Sequence, residues 1–129
     1  MSRVTVLGGG GAVGSIATMT LASSGVFSDI VVADIDMAAA SKTIKEAKGA
    51  NVTAVEFSAE SPESIRKAIN GSEVVLNCVG PFYKYGPTIL KTVIEAGTNY
   101  VDVCDDFDAT EALLAMDEKA KKAGVSALI

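Results

Sequence analysis

The chain has 129 residues, 11 Lys and Arg against 16 Asp and Glu for a formal charge of −5, and neither histidine nor tryptophan. With 49% apolar and 21% charged residues it has the size and composition of one soluble globular domain with a single core, and a second domain does not fit. The missing histidine excludes Ser-His-Asp and Cys-His nucleophile systems, imidazole bases and histidine-ligated metals, and the acidic balance disfavours nucleic acid and anionic membrane surfaces as partners.

Met1, Ser2 and Arg3 lead directly into an apolar run, with no leader pattern of charge, apolar stretch and cleavage site, so a cytoplasmic protein is expected. Residues 4–7 read as a first strand. A helix over 12–23 follows, carrying Val13, Ile16, Ala17, Thr20 and Leu21 at helical spacing and stopping at Gly25. Residues 30–33 form a second, continuous and β-branched strand, the Ala-rich stretch 37–48 a helix closed by Gly49, and 52–57 a third strand. Ser61 caps the next helix, with Pro62 in its first turn and Ile65, Ala68 and Ile69 inward, and Asn70-Gly71 ends it. Residues 73–79 give the fourth strand. An amphipathic helix over 87–96 then aligns Ile89, Leu90, Val93 and Ile94 before Gly97, and 100–104 is the fifth strand. A last helix from about 109 to 123 presents Leu113, Leu114, Met116 and Ala120, ends at Gly124, and hands over to a sixth strand at 125–129. Strands that are apolar throughout, separated by helices long enough to cross over, predict a parallel sheet covered on both faces: a doubly wound (Rossmann) α/β domain of about six strands.

Between the first strand and first helix lies Gly8-Gly9-Gly10-Gly11-Ala12-Val13-Gly14, in which Gly9, Gly11 and Gly14 fill G-x-G-x-x-G. The three glycines serve a tight turn, the approach of a pyrophosphate to the backbone, and close packing of helix on strand, with the phosphates on the N–H groups of the helix start. Gly10, Ala12 and Val13 belong to the same cradle. Asp34 ends the second strand 20 residues after Gly14, where a carboxylate reads adenosine ribose hydroxyls. It would repel a 2′-phosphate, and its neighbours Ile35 and Asp36 include no arginine, so NAD is favoured over NADP. The blander alternatives are a purely structural glycine turn and an aspartate that only caps the bend before the next helix.

Ligands of open α/β sheets bind beyond the strand C-termini. The fourth strand runs there into Val79-Gly80-Pro81-Phe82-Tyr83-Lys84-Tyr85-Gly86, read as a loop, which holds three of the seven aromatics. Tyr83 and Tyr85 suit either a wall around a nicotinamide ring or substrate, or an ordinary apolar lid. The fifth strand ends in Asp102-Val103-Cys104-Asp105-Asp106, whose crowded carboxylates can raise a pKa into the range of proton transfer; more plainly, Asp108 is a helix cap and Asp105 and Asp106 are solvated turn residues. Cys78 and Cys104 match neither a disulfide framework nor a metal-ligand spacing, and no metal is expected. Tyr83, Tyr85, Cys104 and Asp105 are the candidate catalytic groups.

The run from Val74 to Phe82 with Tyr85-Gly86, together with Glu95-Ala96-Gly97-Thr98-Asn99-Tyr100-Val101-Asp102, resembles the nucleotide-binding domain of the saccharopine dehydrogenase family, which includes lysine 6-dehydrogenase-like and related reductases. The resemblance spans essentially the whole chain. It implies an oxidoreductase of lysine-related amino-acid metabolism that transfers hydride between NAD or NADP and the C–N bond of an amino-acid-derived substrate. It also implies that Ser58 and Ala59 lie beside the adenine, and that Val79, Gly80, Pro81 and Phe82 flank the nicotinamide half. In that family a second domain and residues beyond the sixth strand complete the pocket, so residues 1–129 are expected to be the cofactor-binding part of a longer enzyme, without its substrate and dimerisation domain and inactive alone. The expected partners are a small-molecule dinucleotide and an amino-acid substrate, with no nucleic acid and no membrane, and the full-length protein is expected to be a homodimer. A dinucleotide-sensing regulatory module without catalysis is the alternative. A short-chain dehydrogenase is disfavoured because no tyrosine is followed by lysine at Tyr-x-x-x-Lys spacing. A methyltransferase is disfavoured because the spacing through Gly14 suits a dinucleotide better.

Overall fold

The computed structural model of the chain describes residues 2–129. Its framework is six parallel strands in the order β3-β2-β1-β4-β5-β6. The strands are β1 (Arg3–Leu7), β2 (Asp29–Asp34), β3 (Asn51–Glu56), β4 (Val74–Asn77), β5 (Asn99–Asp102) and β6 (Ala127–Leu128). The helices are α1 (Ala12–Ser24), α2 (Met37–Glu46), α3 (Pro62–Ile69), α4 (Phe82–Glu95), α5 (Phe107–Leu114) and α6 (Asp117–Ala123). The first three strands build outward in one direction from β1 and the last three in the other, so the order reverses between β1 and β4. There Val4 is in register with Ile30 on one side and Val74 on the other.

Alternate residues of each strand point to opposite faces, and the two faces hold two cores. The larger joins Leu7, Ala33, Val75 and Tyr100 of the sheet to the buried faces of α3, α4, α5 and α6, while the smaller gathers Val4, Val6 and Ile30 under Ala22 of α1. Burial on both sides is why the central strands lack a polar alternation. β3, at the sheet edge, alternates through its first four residues, with Asn51 and Thr53 exposed, and is exposed again at Glu56. Thr5 spans the layers inside this core, its hydroxyl 3.1 Å from the carbonyl of Ala68 and 2.6 Å from Ser72 Oγ.

Several boundaries differ from those expected. α1 buries Gly14, Thr18 and Ala22, whereas Val13 and Ile16 are exposed, because the helix lies so close to the sheet that only small residues fit beneath it. α2 stops at Glu46, since Ala47 turns into an extended backbone. α4 starts at Phe82, five residues earlier than expected, so the segment read as an aromatic loop is helical and Pro87 sits inside the helix. The ring removes one backbone donor, and Gly86 before it offers no Cβ to clash with. The last helix is two, parted at Ala115 and Met116 with no glycine or proline to mark the break; Met116 N–H donates to Leu113 O at 3.1 Å, closing a tight turn. β4 and β5 end two residues short of their predicted limits, and β6 pairs only through Ala127 and Leu128. None of the described helices is long and apolar enough to cross a membrane.

Candidate functional site

A cleft of about 470 Å³ opens at the C-terminal ends of β1 to β4, where the strand order reverses. Its floor is the turn after β1. Gly8 takes a left-handed backbone with φ +77°, which turns the chain so that the N–H groups of Gly8 and Gly9 both donate to the carbonyl of Ala33, at 2.8 and 3.3 Å. The following glycines are distinguished by what a Cβ would meet. At Gly14 it would overlap the Gly8 carbonyl oxygen, at Gly9 it would stand 2.7 Å from Val32 Cγ1, and at Gly10 2.9 Å from Ala39 Cβ. At Gly11 the nearest atom is 3.4 Å away, an ordinary contact. Protein packing therefore requires a glycine at three of the four positions but not at Gly11, which lines the cleft. Gly11 is also the N-cap of α1, and the helix start has neither a side-chain cap nor an acidic residue in its first turn. The first N–H groups of a helix have no partner within it, so this end of α1 presents free donors and the positive end of its dipole.

Asp34 fixes the turn from the side. Its Oδ2 accepts from Gly10 N–H at 2.8 Å and its Oδ1 from Asp36 N–H at 3.0 Å. Thr43, buried on α2, donates its hydroxyl to the Gly9 carbonyl at 3.0 Å. Asp34 thus caps the bend and still lines the cleft; each carboxylate oxygen holds a further lone pair for a ligand hydroxyl. One wall continues through Ile35 and the β3–α3 connection, Phe57 to Glu60, where Ser58 N–H is held by Ser64 Oγ at 2.9 Å. The opposite wall is Cys78, Val79 and Gly80 with Tyr85 of α4. Burial, and secondarily Asp102, pushes the Cys78 thiol from 9.0 up to about 11, so it stays protonated well into alkaline pH. Lys84 Nζ lies 5.1 Å from the centre of the Tyr85 ring.

Of the residues singled out in the sequence, Gly11, Asp34, Ile35, Ser58, Ala59, Val79, Gly80 and Tyr85 come together around this cleft. Gly9, Gly10 and Gly14 shape the turn from behind, and Ala12 and Val13 are exposed in the first turn of α1. Pro81 is the N-cap of α4, and Phe82 is buried rather than facing the cleft. Tyr83 and Asp105 are exposed and away from the lining, and Cys104 is half-buried, its sulfur 3.6 Å from Thr110 Oγ1. The helix cap beside it is Asp106, which accepts from Ala109 N–H at 3.2 Å; Asp108 lies within the first turn of α5. Four lining residues were not singled out as ligand contacts: Gly8, Phe57, Glu60 and Cys78. Gly8 precedes the motif by one position, and the only signal for Glu60 was its place just after the end of a strand. Among the described residues no group of His, Cys, Asp or Glu is arranged to hold a metal ion.

A parallel sheet whose reversal point carries a glycine turn, an uncapped helix start and an acid at the end of the next strand defines the doubly wound dinucleotide-binding class. The chain belongs within that class to the saccharopine dehydrogenase NADP binding domain family, whose profile matches residues 4–128. A saccharopine dehydrogenase-like oxidoreductase of Mus musculus is 33% identical over 88 residues, 67% of this chain and 20% of the mouse protein. Its Homo sapiens counterpart is 36% identical over 66 residues, 50% of this chain and 15% of the human protein. The chain therefore matches about a fifth or less of the length of these relatives. Among solved structures, the apo saccharopine dehydrogenase (L-Glu forming) of Saccharomyces cerevisiae superposes with a TM-score of 0.78 at 20% identity, over 98% of this chain and 26% of the yeast chain. The triphenylmethane reductase of Citrobacter sp. gives 0.74 at 19%, over 98% of this chain and 47% of that one. At such identities these two superpositions establish the fold.

Proposed function

We propose that this domain binds NAD(H) in the cleft and serves as the cofactor half of an oxidoreductase that makes or breaks a C–N bond in an amino-acid-derived substrate. The observation that carries the reading is the convergence, on one cleft, of Gly11 with its open Cβ direction, the uncapped start of α1 and the carboxylate of Asp34. The pyrophosphate lies on the α1 start and the adenosine ribose on Asp34, with the adenine beside Ser58 and Ala59. The nicotinamide half lies along Val79 and Gly80. When bound, the nicotinamide supplies the hydride chemistry; the residues of this chain bind and orient it. NAD(H) is preferred to NADP(H) because Asp34 and Glu60 are the charged residues lining the cleft and no Lys or Arg lines it with them, although the family is named for NADP binding. Of the four candidate catalytic groups only Tyr85 borders the cleft, and it is the one we retain. The C–N chemistry and the amino-acid substrate rest on the family relationship.

Backbone NMR during titration with NADH tests the placement. The largest shifts are expected at Gly8 to Gly14, Asp34, Ile35 and Val79 to Gly80. Shifts concentrated instead near β6 and α6 would place the ligand elsewhere.

A further inference from the structure

The ends of β4 and β5 carry a buried polar relay that the dinucleotide reading leaves unused. Asn77, fully buried, donates from Nδ2 to the Tyr100 hydroxyl oxygen at 3.1 Å, and that hydroxyl donates to Asp102 Oδ2 at 2.6 Å. Both ends of the relay grip backbone. Asn77 Oδ1 accepts from Val79 N–H and Asp102 Oδ1 from Cys104 N–H, each at 3.0 Å. Asn77 and Asp102 are register partners across the two strands, so the three side chains join the turn leaving β4 to the turn leaving β5.

Such a relay is an expensive way to fill a core. Asp102 is only 8% exposed, no Lys or Arg among the described residues pairs with it, and the same sheet face is otherwise filled by residues such as Val75. Apolar side chains would pack there without the desolvation penalty. A fully satisfied buried network does what apolar packing does poorly, which is to hold backbone in one arrangement. The backbone held here is that of Val79, a wall of the cleft that also touches the glycine turn: a Cβ at Gly8 would stand 3.0 Å from the Cys78 carbonyl oxygen and 3.2 Å from Val79 Cγ2. β4 flanks β1 on the side away from Asp34, so this wall meets whatever lies beyond the pyrophosphate from the adenosine.

We propose that Asn77, Tyr100 and Asp102 are positioning residues that set the Val79-Gly80 wall for the nicotinamide half of the cofactor; the proposal rests on the dinucleotide reading above. Tyr100→Phe keeps the ring in the core and removes only the hydroxyl at the middle of the relay, and Asn77→Ala removes the end that holds Val79. The experiment compares the affinity of the chain and both variants for NADH and for ADP-ribose, which lacks the nicotinamide, and records the emission of bound NADH. For each folded variant NADH affinity is expected to fall about fivefold or more, the worth of one buried hydrogen bond, with ADP-ribose affinity held within about twofold. The emission of bound NADH is expected to move toward that of free NADH. Equal losses for both ligands, or no loss for NADH, would overturn the proposal while leaving the dinucleotide reading standing. Binding of neither ligand by the unaltered chain would overturn both. In the unaltered chain, which needs no variant to fold, exchange of the Val79 amide is expected to slow with NADH and not with ADP-ribose; equal slowing contradicts the proposal.

Discussion

Gly11 and Gly14 occupy the same turn and answer to different demands. A Cβ at Gly14 has no space, because the Gly8 carbonyl occupies it, whereas one at Gly11, which lines the cleft, meets nothing closer than 3.4 Å. Gly11→Val is therefore expected to fold with little change in melting temperature and to lose NADH affinity by at least about tenfold, a loss of about 1.4 kcal/mol. Gly14→Ala should lose the native fold or melt far lower. Circular dichroism melts with a binding titration check both, and a Gly11→Val variant that binds normally would contradict the placement of the pyrophosphate. These glycines and Asp34 were legible in the sequence because their chemistry sits at a fixed spacing. The double use of Asp34, as loop clamp and as lining residue, was not, since both oxygens act on backbone groups whose positions depend on the fold. Glu60 and Gly8 were missed for the same reason: each reaches the cleft through the path of the chain, not through a motif.

The central strands were legible as elements because double burial leaves them largely apolar along their length, while the helix limits depended on contacts that no local pattern shows. α1 reads as amphipathic around Val13 and Ile16, yet close packing selects its small residues Gly14, Thr18 and Ala22 for the buried face. α4 absorbs Pro87, and α5 and α6 separate without a breaker residue. The strand ends also set a pH response. Cys78 after β4 is raised from 9.0 to about 11, first by burial, and Tyr100 in β5 is raised above its ordinary 10.0, first by burial and then by its hydrogen bond to Asp102. Both groups keep their protons in the fold after the unfolded chain has begun to release them, so their contribution is complete below the unfolded values and is lost as pH climbs. Urea midpoints are expected to fall as pH rises from 9.0 toward about 11, and to fall less steeply in Cys78→Ala. A Cys78→Ala profile parallel to that of the parent would show that this thiol does not contribute.

The whole sheet divides its work at the reversal between β1 and β4: the β1–β3 half holds Asp34 and leads to Glu60, and the β4–β5 half holds the Val79 wall through its buried relay. The doubly wound topology could be read in advance because right-handed crossovers between parallel strands leave few alternatives. The asymmetry between the halves emerged only with the side chains in place. It has an electrostatic consequence, since a carboxylate and a 2′-phosphate about 4 Å apart repel by about 4 kcal/mol at an effective dielectric constant of about 20, before screening by salt. Calorimetric titration with NADH and with NADPH tests the account most directly. One NADH is expected to bind per chain, at least about tenfold more tightly than NADPH; binding of neither dinucleotide, or NADPH bound as tightly as NADH, would contradict the placement of the cofactor on Asp34.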